Sequence, residues 1–139
     1  MIWVPTFVLF GVLIALGLLG WGELAFPIWF RFGIGIPLIV IGNIAVWRAV
    51  AGFGIQQTGG AVGTLQTGGL YRYSRNPQYV ADIAMVLGWM ALTSAPLAML
   101  VGSAAIIVLA AAPFSEEPWL RSQYGSDFDQ YVAQVRRFL

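Results

Sequence analysis

Gly68-Gly69-Leu70-Tyr71-Arg72-Tyr73-Ser74-Arg75-Asn76-Pro77-Gln78-Tyr79, with Asp82 just beyond it, is a polar run set among apolar ones. The chain around it has 139 residues, 59% hydrophobic and only 9% charged, whereas soluble domains carry about 25% charged residues. With a mean hydropathy of +0.80 this is the composition of an integral membrane protein, and the length implies one domain. Arginines and a carboxylate are costly in hydrocarbon, so by default such groups mark a site.

Composition also excludes. The chain has no cysteine, which removes disulfides, thiolate metal sites and a cysteine nucleophile. It has no histidine, which removes the commonest metal ligand and the commonest general base, so no metal site is expected. A net charge of +1 is too small to imply a nucleic-acid partner.

Outward from the polar run, the rest reads as scaffold. Residues 2–20 are uninterruptedly apolar and long enough to span about 30 Å of hydrocarbon. No basic residue follows Met1 and the stretch is too long for a signal-peptide core, so it reads as a first transmembrane helix. The segment from Trp21 to Arg31 is a short turn with aromatic residues at interface depth. Residues 32–50 form a second span, with Pro37 expected to kink it.

Residues 51–69 interleave glycine with glutamine and threonine and keep no helical period. They suit either a flexible linker or a loop whose bare backbone approaches a ligand closely. Residues 77–92 and 96–112 are two further apolar runs joined only by Thr93-Ser94-Ala95, a helical hairpin. Both are slightly short for a full span. In residues 115–139, Ser115 is expected to cap a helix whose first turn holds Glu116, Glu117 and Pro118. An apolar stripe of Trp119, Leu120, Tyr124, Phe128, Tyr131, Val132 and Val135 would lay this tail on the membrane surface or under the bundle.

The expected fold is an all-α integral membrane helical bundle of about four transmembrane helices, the last two a hairpin, with a cytosolic C-terminal amphipathic helix. Its parts are two N-terminal spans at 1–50, a glycine-rich cytosolic loop at 51–76, the hairpin at 77–112 and the tail at 113–139. All seven basic residues are arginine. Four spans put Arg48, Arg72, Arg75, Arg121, Arg136 and Arg137 on one side and Arg31 alone on the other, which makes the first side cytoplasmic. Both termini, the glycine loop, the Arg-Asn-Pro turn and the glutamate pair then share the face that meets soluble metabolites.

Asn76-Pro77 is a helix start whatever the function, and a helix start also offers free N–H groups to a carboxylate. Arg72 and Arg75 suit interfacial anchors or anion ligands. Glu116 and Glu117 either offset a helix dipole or bind a ligand. Asp82 lies one and a half turns into an apolar helix and needs a partner, either Arg75 or a ligand cation. Glycines, arginines, acids and tyrosines together suit a zwitterionic or cationic metabolite. S-adenosylmethionine has all the matching parts, though these residue types do not single it out.

The run from Gly69 to Tyr79, followed after a hairpin by Glu116-Glu117, Leu120, Tyr124-Gly125, Tyr131 and Val135-Arg136-Arg137-Phe138, resembles the isoprenylcysteine carboxyl methyltransferase and phospholipid methyltransferase family of membrane enzymes. The resemblance covers Gly68 to Leu139. It implies that S-adenosylmethionine is enclosed on the cytosolic side between the Arg-His/Asn-Pro turn and the glutamate pair, with a lipid-facing opening for the methyl acceptor. Carried over by position, Tyr71, Arg75, Asn76, Pro77 and Tyr79 border the cofactor with Glu116 and Glu117 opposite, and Gly52 and Gly54 loosely match a glycine motif of the phospholipid branch. Asn76 stands where many members have histidine, so that imidazole is absent here. Ala81 replaces a frequent glycine and Arg136 the usual proline, so substrate details do not transfer.

The implied activity is methyl transfer from S-adenosylmethionine to a lipophilic or membrane-embedded acceptor: a prenylcysteine carboxylate, a phospholipid amine or a small thiol. Glu117 or Asp82 would take the proton of an amine, and Arg75 and Arg121 would hold an anionic acceptor or the cofactor carboxylate. Membrane lipid is the other expected partner. Two other readings stand beside this one: a relative of membrane sterol-type reductases, and a non-catalytic scaffold whose Gly11, Gly17, Gly33, Gly35 and Gly42 pack helices.

Overall fold

A computed structural model describes residues 3–53 and 63–139. The elements are α1 (Trp3–Leu19), α2 (Ile28–Phe53), a single 3-10 turn (Gly69–Arg72), α3 (Pro77–Thr93), α4 (Pro96–Tyr124) and α5 (Ser126–Gln134), with no strand among the described residues. By length and composition, α2 over Ile28–Ala51 and α4 are long and apolar enough to cross a membrane. Helices α1 and α3, at 17 residues each, are shorter.

Helix α2 lies along α3, and glycine sets how closely. A Cβ on Gly88 would fall 2.7 Å from the Gly35 carbonyl oxygen, and one on Gly42 would fall 2.8 Å from that of Ala81. Backbone meets backbone there, so the helices approach as small residues allow in membrane bundles. Gly17 is likewise filled, by Trp89 and Thr93, whereas Gly11 and Gly33 face nothing within 4 Å. The buried core is Leu13, Val86, Met90, Ala105 and Leu109, drawn from α1, α3 and α4.

The hairpin is present as the short connection requires, turning on Ser94 in the left-handed region (φ 51°). The α1–α2 turn is bonded to it: the Gly22 N–H donates to the Thr93 carbonyl (2.8 Å) and the Leu24 N–H to that of Ser94 (3.0 Å). Arg31 joins the same end, its Nε donating to the Leu92 carbonyl (3.0 Å) and its guanidinium lying 5.4 Å from the Trp21 ring centre. The 3-10 turn, the start of α3, the end of α4 and α5 therefore lie at the other end.

Two expectations change. Helix α2 runs through Pro37 to Phe53, into the stretch expected to be irregular, so Gly52 lies in its last turn; Gly54, Gly59 and Gly60 lie outside the described residues. Ser115 starts no helix, since α4 continues from Pro96 to Tyr124 through Pro113 and Pro118, and the Ser115 hydroxyl donates back to the Ala112 carbonyl (2.8 Å). Each proline removes one ladder bond, while Phe114, Glu116 and Glu117 between them are engaged from outside the helix by Arg137, Tyr79 and Arg75.

Candidate functional site

The polar run folds as a tight turn. Gly69 has φ +60°, which a side chain would resist, and the Tyr73 and Ser74 N–H groups close the turn on the Leu70 carbonyl (3.1 and 3.2 Å). Ser74 is buried, accepting from the Asn76 N–H (3.1 Å) and donating to the Arg137 carbonyl (3.5 Å). Asn76 takes the N-cap position with Pro77 inside the first turn, but its side chain caps nothing. Its Nδ2 donates instead to the Arg137 carbonyl (3.0 Å), so the expected cap has become a clasp on the C-terminal tail.

The end of α4 faces this turn. The Tyr79 hydroxyl donates to Glu116 Oε1. Glu117 receives Arg137 through two bonds, Nε to Oε1 (2.7 Å) and Nη2 to Oε2 (2.8 Å), and Arg75 Nη2 lies 3.3 Å from its Oε1. Bidentate pairing of this kind fixes both planes. The bond to Glu117 raises the Arg137 guanidinium further above its ordinary value. That guanidinium also stacks on Phe114, 4.0 Å from the ring centre. The Arg75 N–H donates to the Arg136 carbonyl (2.9 Å).

Arg75 is the unusual member. Its side chain is 9% exposed, and with Nη2 directed at Glu117, its Nε and Nη1 are buried with no hydrogen-bond partner. Unmatched buried donors are expensive, and where they occur they call for an explanation. Beneath the cluster, α5 buries Phe128 and Tyr131, and the Tyr131 hydroxyl donates to the Tyr71 carbonyl (2.6 Å). Burial pushes the Tyr131 phenol up to about 12 and raises that of Tyr71 as well, so both stay protonated at neutral pH.

Of the residues singled out in the sequence, Tyr71, Arg75, Asn76, Tyr79, Glu116 and Glu117 meet here, with Pro77 buried at the start of α3. Gly52 lies in the last turn of α2 and Gly54 outside the described residues. Arg121, one turn beyond Glu117, bonds Asp129 (Nε to Oδ1, 2.7 Å), and both side chains are about half exposed. Asp82 sits one turn past Tyr79 on α3, 6% exposed, and no described side chain hydrogen-bonds or ion-pairs with its carboxylate. Sequence reasoning placed neither Arg137 nor Ser74 among the site residues. The signal for Arg137 was an arginine pair about twenty residues after two adjacent acids, with nothing else of that charge between but Arg121.

The chain matches the phospholipid methyltransferase family over residues 30–127, from the start of α2 to the start of α5. It is also 32% identical over 114 residues to a steroid 5-alpha-reductase of Solanum lycopersicum, an alignment covering 80% of this chain but 43% of that protein. No solved structure matches it. The family match takes in well over half the chain, including the turn at Arg75 and the glutamate pair that closes on it, and the chain accordingly belongs to the phospholipid methyltransferase family.

Proposed function

We propose that the chain is a multi-pass membrane enzyme that transfers a methyl group from S-adenosylmethionine to a lipophilic or membrane-embedded acceptor, with both termini and the site at the cytoplasmic face. The observation that carries the reading is Arg75: two buried donors without a partner, beside a glutamate already committed to two arginines. A carboxylate is the group those donors lack, and the methionyl end of the cofactor has one. The residues present therefore fit the cofactor.

Bound there, S-adenosylmethionine would supply an already activated methyl group, so positioning and exclusion of water would account for much of the rate. Arg75 would orient the carboxylate through Nε and Nη1. Tyr79 and Glu116, already hydrogen-bonded to each other, would offer polar atoms to the cofactor's amine or hydroxyls. Glu117 would work mainly by holding Arg75 and Arg137 in place. Its two oxygens are occupied, which leaves Asp82 as the better-placed group to accept a proton. Arg121, drawn to Asp129, would act on an anion only after leaving that pair.

The membrane placement rests on apolar faces turned outward, such as Ile41, Leu100 and Ile107, each more than 60% exposed, and on six arginines at the end that holds the site, with Arg31 at the other. Calorimetry of the purified protein with S-adenosylmethionine tests the proposal. Binding by wild type, weakened in Glu117→Ala, is expected; no binding by either protein would remove it. Radiolabelled methyl transfer onto prenylated thiols, aminophospholipids, quinones and small thiols then identifies the acceptor.

The kinship with a steroid 5-alpha-reductase favours a second reading, a reductase of an apolar substrate. Titration with NADPH separates the two: a fluorescence change on adding it, with none on adding S-adenosylmethionine, selects the reductase.

A further inference from the structure

Helices α1 and α2 both pack on α3 and leave between them a cleft of about 850 Å³. This is the size of a pocket for one small ligand. Its walls are apolar, with Phe10, Ile39, Trp47 and Trp89 among them. Its polar side chains are Thr6, Asn43, Gln78 and Asp82. The last three gather towards the end of the bundle that holds Arg75 and Glu117, because Gln78 and Asp82 occupy the first two turns of α3. No arginine lines the cleft among the described residues.

Asp82 decides what the cleft can hold. It was expected to pair with Arg75 or with a ligand, and Arg75 pairs with Glu117. Asp82 is thus a residue more than nine-tenths buried whose carboxylate is left to an apolar cleft, with no described side chain to satisfy it. Such a group needs a donor or a cation brought by the occupant. An anionic head would instead meet an unpaired carboxylate with no basic residue to offset it. Tyr79 lies three residues earlier on α3, about 4.5 Å along the helix at 1.5 Å per residue, so a head at Asp82 sits next to the polar cluster.

We propose that this cleft binds an amphiphile with one apolar chain or ring system and a non-anionic, hydrogen-donating head, an amine or a hydroxyl, with the head at Asp82. Resting on the methyltransferase reading, this amphiphile is the methyl acceptor, which narrows the acceptor class against carboxylates and anionic phospholipid heads.

The test needs no methyl donor. Protein in nanodiscs of zwitterionic lipid is titrated with a chain-brominated single-chain primary amine and with the brominated fatty acid of equal length. Quenching of Trp47 and Trp89 is followed, with Trp47→Phe to assign the signal. Saturable quenching by the amine at a concentration at least tenfold below the acid is expected, and Asp82→Asn should bring the two within about twofold. Equal binding of amine and acid by wild type overturns the proposal however the variant folds, and so does an amine preference that persists in a folded Asp82→Asn. Amine preference without S-adenosylmethionine binding in calorimetry upholds the cleft and overturns its role as acceptor site. Cofactor binding without amine preference removes this inference and leaves the methyltransferase reading standing.

Discussion

Arg137 grips Glu117 with two parallel bonds of 2.7 and 2.8 Å, while its own carbonyl oxygen is held by Asn76 from the other side. One tail residue therefore ties the end of α4 to the start of α3. Glu117 is the shared anion for two cations, and one of them, Arg75, is buried. Removing it strands that guanidinium. Glu117→Ala should destabilise the protein by about 3 kcal/mol, at the low end for breaking a buried pair because Arg137 is partly exposed. Thermal unfolding of the detergent-solubilised variant checks this, and an unchanged midpoint would contradict it.

Arg75→Lys keeps the charge but loses the fork that lets one side chain meet Glu117 and still present two donors elsewhere. Losing a charge-assisted bond of about 2 kcal/mol should weaken S-adenosylmethionine binding by roughly 30-fold. Calorimetry reads this directly, and wild-type affinity in Arg75→Lys would take the carboxylate away from Arg75.

The α2–α3 crossing should be far more sensitive to Gly88→Ala than to Gly33→Ala. The first places a methyl 2.7 Å from a backbone oxygen that has no rotamer to yield, at a cost of about 1–3 kcal/mol. The second meets open space and should be neutral or stabilising by up to about 1 kcal/mol, the helix-propensity gain. Paired unfolding midpoints decide, and equal effects would place the helices wrongly.

Tyr131→Phe removes the bond to the Tyr71 carbonyl and should cost about 1 kcal/mol. Its pH dependence follows from a phenol raised from its ordinary 10 to about 12 by burial. The folded state holds this proton more tightly, so the contribution is complete below about pH 10 and is lost as pH rises through about 12. The stability gap between wild type and Tyr131→Phe should therefore narrow across that window, and a constant gap would put the phenol in water.

Much of this was legible in the sequence. The apolar runs gave the helices, and the three-residue connection gave the hairpin. Residue type nominated Arg75 and the glutamate pair, the family resemblance added Tyr79, and the fold brings them together. What stayed hidden depended on partners far along the chain. Asn76 looks like a cap until the Arg137 carbonyl is placed beside it, and Ser115 looks like a helix start until its neighbours are seen bonded to Tyr79, Arg75 and Arg137. Local signals gave those residues one role, and long-range contacts replaced it.

The tail contacts also order events in biosynthesis. Arg75 and Asn76 emerge from the ribosome some sixty residues before the Arg136 and Arg137 carbonyls that complete their bonds. The four long helices can fold and meet while the cluster remains unfinished, and only a chain translated through residue 137 can close it. A nascent or prematurely stopped product therefore carries Glu117 without its Arg137 clasp, chemically distinct from the finished protein at one small spot.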